Sequence, residues 1–232
     1  MALPKLNNTP QYELTIPSTG KVVKYRPYLV KEEKVLLLAF ETQDQRQMMN
    51  AMVNTIVACL QEEIDNTKLT TFDVEYMFLQ IRGKSVGEIA TVGLKCGECE
   101  NVEEIQVNLD EITVPQNELN NMIELTPDIF IEMQYPTFVD VGDIVGGDRE
   151  ESQIAFDMIE KSIAAVISGD ERIADFKKQE ITEFVESMTS AQLEKVSQFI
   201  REIPSLQKQV DYACSKCGHE NTIKLEGISD FF

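Results

Sequence analysis

The alternation of apolar and polar residues predicts a β-hairpin at the start of the chain, followed by three helices. Residues 12–16 and 21–25 alternate with a period of two, and the Pro-Ser-Thr-Gly sequence at residues 17–20 is a turn signal between them. Thr70 and Asp73 match a capping box, which places a helix start directly after Thr70. Apolar residues recur at helical spacing over residues 30–41, 45–64 and 71–83.

The rest of the chain predicts two strand pairs built around cysteine motifs, with a hairpin and helices between them. The strand pairs are expected over residues 88–109 and from residue 207 to about residue 225. Residues 122–135 alternate on both sides of a Thr-Pro-Asp turn and predict a second hairpin. Helices are expected over residues 150–168, 181–188 and 189–203, with residues 141–147 as a connector.

Two Cys-x-x-Cys motifs carry the strongest chemical signal in the sequence. Cys96 and Cys99 form the first pair, Cys214 and Cys217 form the second, and each pair leads into a strand-like run. Two such pairs supply four thiolates, which is the ligand set of a tetrahedral structural zinc site. Gly218, directly after the second pair, permits an unusual backbone angle that a tight metal-binding turn uses. We therefore predict that all four cysteines bind one structural Zn²⁺.

The distance between the two pairs predicts a split module. Compact zinc modules separate their pairs by about 12 to 20 residues, whereas here the second pair follows much later in the chain. We expect residues 86–115 with 204–232 to form a split zinc-ribbon module, and residues 116–203 to be a hairpin and helical insertion. The ends of this insertion should then lie close together, near the metal. Residues 1–85 form the remaining region, with the N-terminal hairpin and its helices.

Other interpretations of the cysteines and of the single histidine stay open at this level. The pairs are also compatible with two unrelated sets of reduced thiols or with a redox dithiol, although neither pair opens a helix in a βαβ pattern. Cys59 lies in an apolar helical run and is expected in the core. His219 is an alternate ligand or a neighbour of the ligands, or it lies on the surface.

Composition and charge narrow the classes of function. The chain has 232 residues with 21 basic and 40 acidic side chains, a net charge of −19. Such a chain repels a phosphate backbone, and no basic cluster offsets this, so nucleic acid is not an expected partner. No apolar run reaches the roughly 18 residues of a membrane span. Residues 1–10 lack a signal-peptide pattern, which favours a reducing compartment and metal-bound thiolates.

The sequence offers no set of residues for catalysis. With only one histidine, a histidine-based triad or an open histidine zinc site is hard to build. Gly146 and Gly147 lack a phosphate-loop pattern and stand between Asp143 and Asp148, which repel phosphate. We therefore expect an α+β protein that is not an enzyme: an N-terminal β-hairpin plus helices, and a split, four-cysteine zinc-ribbon-like β module carrying a mainly helical insertion.

Several stretches together resemble the baseplate hub protein family of T-even-like contractile-tailed bacteriophages. They are KYRPYLVKEEK at 24–34, LLLA at 36–39, TFDVEYMFL at 71–79, RGKSVG at 82–87 and the pair Cys96 and Cys99. The resemblance implies a part in building the central hub or spike of the tail baseplate, and it transfers no catalytic residues.

The function expected from this resemblance is that of a baseplate hub component or an assembly factor for the hub, with other hub and spike proteins as partners. The expected location is the virion tail baseplate, or the host cytoplasm during assembly. Other possibilities are a zinc-ribbon adaptor or transcription regulator and, less favoured, a thiol-redox protein. The candidate contact elements are residues 12–41 and the terminal Phe231 and Phe232, which either pack on the body or insert into a partner.

Overall fold

The computed structural model describes residues 9–42, 44–115, 120–145 and 150–231, and it divides into two compact units. Unit 1 consists of Met1–Gln116 with Ser205–Phe232, and unit 2 of Asn117–Pro204. In chain order the elements are β1 Tyr12–Thr15, β2 Val22–Tyr25, α1 Val30–Glu41, α2 Gln45–Cys59, α3 Thr71–Val86, β3 Ile89–Lys95, β4 Val102–Asn108, β5 Met122–Thr126, β6 Ile129–Met133, α4 Phe138–Val145, α5 Glu151–Ser162, β7 Ile163–Ser168, β8 Glu171–Ile173, α6 Lys178–Glu186, α7 Ser190–Arg201, β9 Gln207–Ala213 and β10 Glu220–Glu226. The predicted α+β class is confirmed.

In unit 1, the N-terminal hairpin is fastened to the start of α3. The buried carboxylate of Asp73 accepts hydrogen bonds from the backbone N–H and hydroxyl of Ser18, in the turn between β1 and β2, at 2.9 and 2.6 Å. The same carboxylate accepts from the N–H of Thr70 at 3.0 Å, and the Thr70 hydroxyl accepts from the N–H of Asp73 at 3.2 Å. This is the capping box that the sequence predicted. One side chain thus caps α3 and holds the hairpin turn.

A second polar contact joins β2, α1 and α2. The guanidinium of Arg26 donates to the carboxylate of Glu32 in α1 and to the carbonyl of Ala58 in α2, both at 2.9 Å. Burial raises the pKa of Glu32, but the hydrogen bonds from Arg26, from the N–H of Leu29 and from Lys31 together hold that pKa below its ordinary value. Glu32 therefore stays charged where α1 begins.

Two further hairpins of unit 1, β3 with β4 and β9 with β10, enclose its core together with α3. Each is an antiparallel pair in which alternate residues point inward. The core combines these inward residues with apolar residues of α3 and of the loops around the strands. Its buried members are Leu79, Ala90, Val92, Leu94, Val107, Leu109, Ile112, Leu206, Val210, Leu225 and Phe231.

The chain leaves and re-enters unit 1 at neighbouring points. Thr113 forms an isolated antiparallel bridge with Gln207, whose N–H donates to the Thr113 carbonyl at 3.0 Å. The ends of the intervening segment therefore meet, but the expectation that they meet near the cysteines is wrong. Gln207 begins β9, and Cys214 follows that strand at its other end, so the length of the strand separates the two points.

In its described residues, unit 2 combines a four-stranded antiparallel sheet with four helices. The sheet order is β5-β6-β7-β8, and its core lies against α5, α6 and α7. The helix predicted over residues 150–168 ends at Ser162, because Ile163–Ser168 form β7 instead. This segment is rich in isoleucine and valine, and it pairs with β6 along its length. Helix α4 occupies part of the region predicted to be a connector, and the two glycines after it lie outside the described residues.

Candidate metal centre

Each cysteine pair lies in a tight turn that joins the two strands of a hairpin. The N–H of Cys96 donates to the carbonyl of Asn101 at 2.8 Å, and the N–H of Glu100 donates to the carbonyl of Cys96 at 3.0 Å. The second turn repeats both bonds, with Cys214 donating to His219 at 2.9 Å and Gly218 donating to Cys214 at 2.8 Å.

Both turns have a left-handed residue after the second cysteine. Gly218 has φ 73° and Glu100 has φ 57°. Glycine adopts this conformation without steric cost, whereas a side chain makes it unfavourable by about 1–2 kcal/mol. The unusual backbone angle was predicted for Gly218, and Glu100 adopts the same conformation in the first turn.

The structure brings all four cysteines of the two pairs together. Their sulfur atoms lie within 4.8 Å of one another, with 3.7 Å between Cys96 and Cys217 and 3.6 Å between Cys99 and Cys214. A tetrahedral zinc site with Zn–S bonds of about 2.3 Å has sulfur–sulfur edges of about 3.8 Å. The donor set and its spacing therefore fit such an ion without rearrangement of the backbone.

The two hairpins repeat each other around this cluster. In each hairpin, one strand ends directly before the first cysteine and the other begins three residues after the second cysteine. These strands are β3 and β4 for the first pair, and β9 and β10 for the second pair. Strand lengths, turn hydrogen bonds and the left-handed residue all coincide. The centre is thus built from two copies of one local motif.

One side chain from each hairpin forms a hydrogen bond with the cysteine turn of the other hairpin. The Glu103 carboxylate accepts a hydrogen bond from the N–H of Ser215 at 2.9 Å. The Asn221 carbonyl oxygen accepts from the N–H of Gly97 at 3.0 Å, and its amide nitrogen lies 3.6 Å from the sulfur of Cys96. Neither residue was predicted from the sequence to belong to the site. The signal was present, since each stands at the same position after the second cysteine of its pair.

The surroundings lower the pKa of the Cys96 thiol and raise the pKa of the Cys217 thiol. The backbone N–H groups of Cys99 and Glu98 lower the pKa of Cys96 to about 6. The N–H of His219 lowers the pKa of Cys217, but the neighbouring sulfurs, with Cys99 foremost, and burial raise it to about 12. Four adjacent thiolates repel one another, and a divalent cation between them removes that repulsion.

The remaining residues singled out in the sequence lie away from the sulfur cluster or contribute backbone atoms only. Cys59 is buried in unit 1, as predicted, and burial raises its pKa to about 11. His219 is exposed, and its carbonyl accepts bonds within the second turn. Phe231 is only 1% exposed and belongs to the core, so it packs on the body of unit 1. Phe232 lies outside the described residues.

Comparison with known families gives the chain its affiliation. A family model described as "T4 bacteriophage base plate protein" matches residues 9–232. The chain belongs to this family. No curated protein and no solved structure matches it.

Membership in the base plate family confirms the resemblance at the level of a T4-like phage baseplate protein. It assigns a structural role in the virion tail baseplate, where the partners are phage proteins. Across the described part of the chain, every helix is too short or too polar to cross a membrane.

Proposed function

We propose that the chain is a component of the baseplate hub, or an assembly factor for the hub, that acts by binding other hub and spike proteins without catalytic turnover. Family membership supports the baseplate role. The observation that supports binding is the exposure of large apolar side chains on and beside α1. Six of them fall between residues 29 and 40: Leu29, Val30, Val35, Leu37, Leu38 and Phe40. Contiguous exposed apolar surface of this kind is typical of interaction sites.

The N-terminal hairpin adds a second contact element within residues 12–41. Strand β2 pairs with β1 on one side, and the N–H of Gln61 donates to the Lys24 carbonyl on its other side. Among the described residues, no backbone hydrogen bond from another element reaches the outer edge of β1. An open edge of this kind offers a backbone ladder to an extended partner segment.

The experiment for the hub role is mass spectrometry of purified tails alongside assembly intermediates. A hub component should be present in both samples, whereas an assembly factor should be present in the intermediates and depleted from finished tails. Absence from both would refute the proposal.

We further propose that Cys96, Cys99, Cys214 and Cys217 bind one structural Zn²⁺, and that residues 116–203 are an insertion between the halves of a split ribbon. The spacing of the sulfurs and the closeness of Thr113 to Gln207 support this. A structural zinc site can contribute on the order of 10 kcal/mol of apparent binding free energy to folding. Elemental analysis of protein purified without chelator should find about one zinc per chain, and a metal-free, fully folded protein would contradict the proposal.

A further inference from the structure

Helix α1 exposes apolar side chains over most of its circumference. Its buried side consists of Glu32 and Leu36. Outside this side, Val30 is 78% exposed, Leu37 58% and Leu38 54%. A surface helix of a protein that acts by itself normally has polar residues on its outer face.

Along the outward side of α1, basic, apolar and acidic side chains follow one another in sequence. At 3.6 residues per turn, Lys34, Leu37, Leu38 and Glu41 project from the same side of the helix. Val30 lies on the same side one turn earlier, and after it Lys34, the two leucines and Glu41 form an outward seam. From Lys34 to Glu41 the order is base, two leucines, acid, and from Glu41 to Lys34 it is acid, two leucines, base. When two copies of the helix run antiparallel, each base therefore faces an acid and the leucines face leucines.

The charge around this seam differs from that of the whole chain. The chain carries 21 basic and 40 acidic side chains. The charges on the outer sides of α1 are balanced, with the exposed Lys31 and Lys34 against the half-buried Glu33 and the exposed Glu41. Two copies of an acidic protein repel each other over most of their surface, and this local neutrality identifies a face where a second copy can approach.

We propose that α1 is a homodimer interface, with the α1 helices of two copies packed antiparallel about a two-fold axis. In this arrangement Leu37 lies against Leu38 of the second copy, and Lys34 lies beside Glu41 of the second copy. Each contact then occurs twice, as an isologous interface requires. The proposal does not depend on the hub role, because it concerns the purified protein without other phage proteins.

The apolar area on the outward side of α1 is consistent with a weak dimer. Large apolar side chains each present on the order of 150–200 Å² when fully exposed, so Val30, Leu37 and Leu38 together present roughly 300–400 Å². A standard interface buries about 800 Å² on each partner. An apolar groove of about 320 Å³ beside α1, lined by Phe40, Phe78 and Val86, extends the face further.

The first experiment is sedimentation equilibrium of the full zinc-loaded chain, wild type and Leu38→Glu, at protein concentrations from about 1 to about 200 μM. Leu38→Glu places a charge at the centre of the seam and should weaken dimerisation at least about 10-fold, as loss of a central anchor does. The matched control is Val139→Glu in α4, because Val139 is 50% exposed and lies in unit 2. This control should dimerise like wild type.

A charge-exchange pair tests the antiparallel orientation. Lys34→Glu should weaken the dimer by about 5-fold, as expected for exposed ion pairs that occur twice, and high salt should reduce this difference. Adding Glu41→Lys to the same chain should restore the wild-type dissociation constant. Circular dichroism and thermal melting would confirm that each variant is folded.

Three results would overturn the proposal. A wild-type chain that stays monomeric up to about 200 μM would leave the α1 face to a different protein. A dimer that survives Leu38→Glu would place its interface elsewhere. A double charge exchange that fails to restore a dimer weakened by Lys34→Glu would exclude the antiparallel arrangement.

Discussion

Replacing Asn221 by alanine should weaken zinc binding although Asn221 is not a ligand. Its side chain is buried and connects β10 to the turn of the other hairpin through the N–H of Gly97 at 3.0 Å. It also donates toward the sulfur of Cys96 and to the carbonyl of His219. The variant removes all three bonds and leaves the Gly97 N–H without its partner inside the centre.

The size of the effect can be estimated in two independent ways. Each lost net hydrogen bond costs about 0.5–1.5 kcal/mol, so the loss of three costs about 1.5–4.5 kcal/mol. Residues that orient metal ligands typically change metal affinity about 10- to 100-fold when they are removed. Since about 1.4 kcal/mol corresponds to a factor of ten, the two ranges overlap at roughly a 10- to 100-fold loss of zinc affinity.

The assay is competition for Zn²⁺ against a chromophoric chelator, combined with urea unfolding of the zinc-loaded protein. Thr222→Ala is the matched control, because Thr222 is the next residue in β10 but is exposed, and its hydroxyl donates to the exposed Asp211. Its zinc affinity should stay within about twofold of wild type. If Asn221→Ala also binds zinc within about twofold of wild type, the link between the hairpins does not support the site and the reasoning is wrong.

Four further predictions concern unit 1, each measured by urea unfolding. Asp73→Ala leaves the buried N–H of Thr70 without its acceptor and removes both hydrogen bonds from Ser18, so it should lower the free energy of unfolding by about 3–5 kcal/mol; a loss below about 1 kcal/mol would contradict the hairpin anchor. Phe231→Ala should cost about 3–5 kcal/mol because the ring is in the core, whereas an unchanged midpoint would indicate an exposed tail. Glu100→Gly should stabilise the protein by about 1 kcal/mol because glycine accepts the positive φ freely; destabilisation would refute this. The hydrogen bond from Arg26 lowers the pKa of Glu32 in the folded state, so Glu32 stabilises the fold above about pH 5, and this stabilisation is lost as the pH falls through the folded pKa. Glu32→Gln should therefore flatten the dependence of the free energy of unfolding on pH in that window. An acid profile equal to that of the wild type would argue against the ion pair.

The parts of this protein that the sequence predicted correctly are those specified by neighbouring residues. Helix α1 was predicted with its observed bounds, because its apolar spacing and the proline before it act over one or two turns. The capping box of α3 depends on Thr70 and Asp73 only. The cysteine turns likewise follow from a short local pattern. Local patterns of this kind indicate which residue types have ligand chemistry, and so the four cysteines could be named as candidate ligands from the sequence.

Tertiary structure decided the features that depend on residues far apart in the chain. Residues 163–168 have apolar spacing that suits either a helix or a strand, and pairing with β6 selects the strand. Phe231 was equally compatible with an anchor or a core residue, and only the space between the two hairpins shows that it is core. Glu103 and Asn221 stand at equivalent positions after their cysteine pairs, but only the packing of the two hairpins shows that each bonds to the opposite turn. The convergence of the four sulfurs has the same origin, since the packing of two distant hairpins on a common core brings the two cysteine pairs together.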